Sequence, residues 1–123
     1  MNDSIFNTDP QGRWHVPVLD EGHWRMGVYR PEHSSADAIT VLEKHTCPEL
    51  FICQGGRMGL LVHSGAAETV VEMEPGQAIL VTDYHNGFSL DARGHFLVVE
   101  RTSFSTEYID RKTLAVVERR TVG

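Results

Sequence analysis

The sequence is short of the features that staple a chain, span a membrane or attract a polyanion. Two cysteines in 123 residues, Cys47 and Cys53, are too few for a disulfide framework. Their spacing in a segment read as extended puts same-face side chains about 20 Å apart, so no bond between them is expected. No apolar run reaches the roughly 18–20 residues of a membrane span, because Glu, Arg, Gly or His interrupts each candidate. Basic charge is scarce as well: 11 Lys and Arg against 17 Asp and Glu leave a formal charge of −6. That balance gives no general attraction to phosphate backbones or anionic lipid, and neither nucleic acid nor a membrane is expected as partner. The first ten residues lack the basic flank and apolar stretch of a secretory signal, so a soluble, cytoplasmic protein is expected. Internal repeats, low-complexity tracts and a DNA-binding helix pair are also missing.

What is present is a globular composition, 41% hydrophobic and 23% charged, in a chain long enough for one domain. Residues 1–22, rich in Asp, Asn, Gly and Pro, read as an N-terminal arm or irregular lead-in. From residue 23 onward, short apolar runs alternate with turn residues: 24–29, 38–43, 50–53, 58–62, 69–73, 78–82, 87–90 and 96–100. Gly55-Gly56, Ser64-Gly65, Pro75-Gly76, Asn86-Gly87 and Arg93-Gly94 sit where reversals are needed. Short strands at this spacing predict an all-β barrel or sandwich over 23–123. In the tail, 104–119 reads as two strands about Arg111-Lys112 or as a short helix, and the β-branched run at 113–117 favours strands.

The chemistry-bearing residues concentrate in one segment. Ile39, Val41, Glu43, His45, Cys47, Glu49, Phe51 and Cys53 share parity and would share a face of an extended chain. Two readings stay open. If that face is buried, carboxylates and imidazole need neutralising, and a divalent cation does so with ordinary carboxylate and imidazole ligands. If it is exposed, the carboxylates are simply solvated, and Pro48 interrupts the alternation in either case. Cys47 reads as a small residue near a turn and Cys53 as core. His63, beside Ser64-Gly65, and His95, beside Arg93-Gly94, read as residues of exposed reversals. Trp24, Met26, Tyr29, Phe51, Met58, Tyr84 and Phe88 are candidates for a pocket wall. An inward Arg25 or Arg57 could grip a substrate carboxylate or phosphate.

At Glu43-Lys44-His45-Thr46-Cys47-Pro48-Glu49, followed by Gly56, the sequence resembles the cupins, small jelly-roll barrels that often hold one metal ion. Their first motif runs G-x5-H-x-H-x(3,4)-E-x6-G. His45 falls on its second histidine, Glu49 on the glutamate and Gly56 on the closing glycine, while Glu43 stands where the first histidine is usual and Asp37 where the leading glycine is. The second motif, G-x5-P-x-G-x2-H-x3-N, is similar to the run from Gly76 to His85, with Thr82 at the proline position, a turn two residues shorter, and Ser89 for the final asparagine. The resemblance spans about 37–100.

The resemblance implies a double-stranded β-helix and a metal centre of His45, Glu49 and His85, with Glu43 as a fourth ligand or a proton-moving group and Tyr84 as a substrate-orienting residue or proton donor. A two-histidine, one-carboxylate set with open positions suits Fe, and also Mn, Zn, Ni or Co. A metal-dependent isomerase, epimerase or dioxygenase acting on a small polar metabolite is the leading expectation. A non-catalytic module that binds a small ligand and a metal-free acid–base sugar epimerase are the alternatives. Ligating histidines must be neutral, so metal affinity is expected to fall below about pH 6. Family likeness also implies a homodimer paired through an edge strand.

Overall fold

Alternating side chains and tight turns fold the described residues mainly into antiparallel strands. The structure, a computed structural model, describes residues 5–123. In chain order the strands are β1 Trp14–Asp20, β2 Trp24–Tyr29, β3 Val41–His45, β4 Glu49–Gln54, β5 Met58–Ser64, β6 Ala67–Met73, β7 Ala78–Val81, β8 Tyr84–Ser89, β9 His95–Arg101, β10 Phe104–Asp110 and β11 Val116–Val122. They form a five-stranded sheet in the order β1-β2-β9-β4-β7 and a six-stranded sheet in the order β11-β10-β3-β8-β5-β6. This is the all-β architecture anticipated from the strand spacing, in the jelly-roll form that the cupin resemblance implied.

The inner faces meet in a core of Phe51, Cys53, Met58, Leu60, Met73, Val81, Phe96 and Val98. Burying a large apolar side chain of this kind stabilises by about 1.5–3 kcal/mol. Period 2 sends the intervening residues of the six-stranded sheet outward. There Leu42, Leu61, Phe88 and Ile109 form a second buried cluster with Ile39. A 3-10 turn, Ala36–Ala38, covers that face. Arg111 pins the cover, donating from Nη1 to the carbonyls of Ala36 at 2.7 Å and Ile39 at 2.9 Å while its other edge meets Glu68.

Several local expectations change. The lead-in contains β1, an edge strand paired with β2. Pro17 obscured it, but a sheet edge tolerates proline, and the register shift between His15 and Val18 absorbs it. The strand expected from residue 38 starts at Val41, because residues 36–39 turn to cap the outer cluster. The tail is a hairpin: the Asp110 carboxylate accepts the backbone N–H groups of Lys112 and Thr113, both at 2.9 Å, and Leu114 turns at φ 63°. His63 and His95 are buried rather than exposed, since each lies within a paired strand, opposite Tyr84 and Gln54 respectively. Both cysteines are buried and free.

Candidate functional site

Pro48 does break the alternation, yet it carries the buried face from one sheet to the other. β3 belongs to the six-stranded sheet and β4 to the five-stranded one, joined by Thr46-Cys47-Pro48. Glu43 and His45 therefore face Glu49 across the interior. His85 joins them because it pairs directly with Glu43 between β8 and β3.

The four side chains converge closely. Glu49 Oε1 lies 2.7 Å from His45 Nε2 and 3.0 Å from His85 Nε2. Glu43 Oε1 lies 3.6 Å from His45 Nε2 and 3.8 Å from His85 Nε2. The far ring nitrogens are occupied: His85 Nδ1 donates to the Asp83 carbonyl at 2.8 Å, and His45 Nδ1 is 2.7 Å from Thr106 Oγ1. Both rings thus turn Nε2 inward, the arrangement in which an outer hydrogen bond orients a ligating imidazole.

The close contacts at the centre are not aligned as hydrogen bonds. Buried Glu49 Oε1 and His85 Nε2 have no hydrogen-bond partner despite their 3.0 Å separation. Both atoms are nonetheless turned into the same buried space as His45 Nε2 and Glu43 Oε1. Ligands bound at about 2.0–2.2 Å at right angles around one cation lie about 3 Å apart, so the donor set fits a metal ion. Glu43, His45 and His85 offer three donor atoms within 4.8 Å of one another, and His45, Glu49 and Glu100 do the same.

Electrostatics follow from this crowding. Burial alone would lower His45, but the Glu43 and Glu49 carboxylates outweigh it and hold its pKa at about 10. His85 behaves alike: burial opposes its protonation and Glu49 more than compensates. Burial would raise Glu49, and the two imidazoles instead hold it well below the carboxylate range. A cation held here would have to displace these protons, which would move the pH dependence of its binding above the ordinary histidine range.

The cluster opens into a cavity of about 310 Å³. Trp14, Tyr29, Phe51, Phe104 and Tyr108 supply apolar walls, and Arg25, Glu43, Asn86 and Glu100 supply polar ones. Phe104 packs edge-on against His45 and Phe51 against His85, with ring centroids 4.9 and 5.4 Å apart. Glu100 was not anticipated. It follows inward-facing Phe96 and Val98 on β9, and a lone carboxylate at the next inward position of an apolar strand was the available signal. Burial first, then the charge of Glu49, push Glu100 up to about 7 against the pull of Arg25.

Other expected site residues lie elsewhere. Tyr84 precedes inward His85, so it faces the opposite side of β8, packs with the outer cluster and donates its hydroxyl to Glu107 at 2.5 Å. The structure does not bring it to the cavity. Phe88 joins the same outer cluster, Met58 is core, and Trp24 is exposed. Arg57 sits at a solvated edge against Asp91. Cys47 is buried beside the β3–β4 crossing and is in neither donor group.

No family model and no curated protein matches the chain. Solved structures share its fold. Hydroxypropylphosphonic acid epoxidase from S. wedmorenis in complex with fosfomycin superposes with a TM-score of 0.58 at 11% identity, over 82% of this chain and 58% of that one. A structure of FeII HppE in complex with substrate gives 0.60 at 12%, over 80% and 56%. An uncharacterized conserved protein with a double-stranded β-helix domain from Klebsiella pneumoniae gives 0.55 at 11%, over 92% and 88%. The chain thus spans little more than half the length of the first two and most of the third.

Proposed function

From a chain with the cupin fold, a double-stranded β-helix whose interior gathers two imidazoles and two carboxylates, we propose a metal-dependent enzyme acting on a small polar metabolite. His45, Glu49 and His85 would hold a divalent cation, and Glu43 would complete the shell or move a proton at the cavity floor. The observation that carries this reading is the buried pair Glu49 Oε1 and His85 Nε2, 3.0 Å apart and without hydrogen-bond partners. A bound cation would polarise a substrate carbonyl or hydroxyl and stabilise the charge that develops there. With two carboxylates beside two imidazoles, the donor set suits Fe or Mn better than a soft, thiolate-seeking ion.

Each residue of this chain has a separate task. Thr106 and the Asp83 carbonyl fix the two imidazole rings. The Tyr29 phenol stays protonated, since burial and then the Glu43 charge keep it above its ordinary range, and it donates to Asn86 at 3.3 Å. Glu43, whose side chain is 32% exposed, is the carboxylate best placed to exchange a proton with a ligand in the cavity.

Purified protein is expected to carry about one metal per chain by elemental analysis, and His85→Ala to carry much less. Full metal in that variant would overturn the assignment. Metal-free acid–base chemistry is a second reading, favoured by the protonated His45 held between two carboxylates. Activity that survives a chelator would select it. We further propose a homodimer through edge strand β11, whose side chains are largely exposed, and a reducing compartment that keeps the two cysteines as thiols. A monomer in sedimentation analysis would refute the former.

A further inference from the structure

The cavity holds a guanidinium that the proposed metal chemistry does not use. Arg25 alternates inward on β2 with Gly27 and Tyr29, and β9 places Glu100 directly opposite it. Glu100 Oε2 accepts from Nε at 2.7 Å and stands in ion-pair contact with Nη2 at 2.6 Å. One carboxylate oxygen thus occupies one edge of the fork. Among the described residues, Nη1 has no hydrogen-bond partner, although Arg25 lines the cavity and its side chain is 21% exposed.

The group is also held flat. Trp14 and Phe104 each stand 5.4 Å from its central carbon. Phe104 in turn packs on His45, which ties the guanidinium to the donor cluster through one ring. On the other side Trp14 depends on Gly27, because a Cβ there would lie 1.9 Å from the indole ring. A planar cation is thus fixed by two rings and one carboxylate. Its free edge is preorganised for a bidentate oxyanion.

We propose that Arg25 is the anion anchor of the site, and that the ligand is a small molecule carrying a carboxylate or phosphate at one end and oxygen functions toward His45, Glu49 and His85 at the other. The inference rests on the metal-enzyme reading for the second half of this contact but not for the first. Charge permits it: a divalent cation would offset Glu43 and Glu49, and Glu100 is offset by Arg25 itself. The volume of about 310 Å³ limits the ligand to metabolite size.

The test compares acetate, methyl phosphate and neutral acetamide by calorimetry, on manganese-loaded and chelator-treated protein, in wild type, Arg25→Lys and Arg25→Gln. Arg25→Lys keeps the charge that Glu100 requires and removes the fork, so it serves if Arg25→Gln does not fold. Wild type is expected to prefer at least one anion over acetamide, and the stronger of the two identifies the terminal group. That preference should fall by several-fold in Arg25→Lys and by about 10- to 100-fold in Arg25→Gln, with manganese stoichiometry unchanged in Arg25→Lys. A merely structural arginine would not alter selectivity between anion and amide. Equal binding of all three probes, or anion selectivity unchanged in both variants, overturns the anchor. Failure of manganese to bind while Arg25-dependent selectivity persists removes the metal reading and leaves the anchor standing.

Discussion

Metal affinity should keep rising with pH well beyond the range of an ordinary histidine. In the metal-free protein, Glu43 and Glu49 hold His45 at a pKa of about 10 and also raise His85. At pH 7 only about one site in 1000 has His45 neutral and ready to ligate, so the proton weakens apparent affinity by about 1000-fold. Displacing that one proton predicts a gain of about tenfold per pH unit, or roughly 30-fold between pH 7.0 and 8.5, and more if His85 contributes. A histidine at the usual value near 6.5 predicts a gain of less than about twofold over the same range. Titrating Mn²⁺ anaerobically against a competing chelator measures the slope. Calorimetry in buffers of different ionisation enthalpy counts the protons released, with about one or more per metal expected at pH 7. A flat affinity with almost no proton release would refute the argument, because it would mean the carboxylates do not hold the imidazoles in the protonated form. The same shifts fix the stability of the metal-free protein. The His45 contribution is complete below about pH 6.5 and is lost as pH rises through about 10. That of Glu49, whose value is lowered, is present above about 4.5 and is lost as pH falls below it. Chelator-treated protein should therefore melt at lower temperature as pH climbs from 6.5 toward 10, and a rise instead would contradict the sign.

Saturating metal at about 100 times its dissociation constant should add about 2.7 kcal/mol, which for 123 residues corresponds to roughly 10 °C in melting temperature. Differential scanning fluorimetry with and without Mn²⁺ checks this, and no shift would count against a site formed only in the folded state. Leu42→Ala should cost about 2–5 kcal/mol in urea denaturation, because Leu42 is fully buried beneath the 36–38 turn. A cost under about 0.5 kcal/mol would mean the outer cluster is not packed.

The strands from β2 to β9 and the turns between them were legible because period-2 alternation and glycine-bearing reversals are local signals. The donor types were legible too, since Glu43, His45 and Glu49 lie within seven residues and His85 sits beyond a recognisable turn. β1 was not legible: Pro17 is compatible with a strand only at a sheet edge, and edge position is a property of pairing. His63 and His95 were misplaced for the same reason, their turn-like neighbours hiding the fact that partners on other strands bury them. Glu100 and Arg25 meet across 75 residues, and nothing local announces that pairing.

The sequence by itself determined an all-β chain, its reversals and a set of residues able to bind a cation, because backbone preference and side-chain chemistry belong to residues and their near neighbours. Only the tertiary structure decided that Glu43, His45, Glu49 and His85 share one interior, that Tyr84 faces away from it, and that Arg25 joins them. Two sheets facing each other settle which parity is inside, and that choice depends on long-range packing that no single strand encodes.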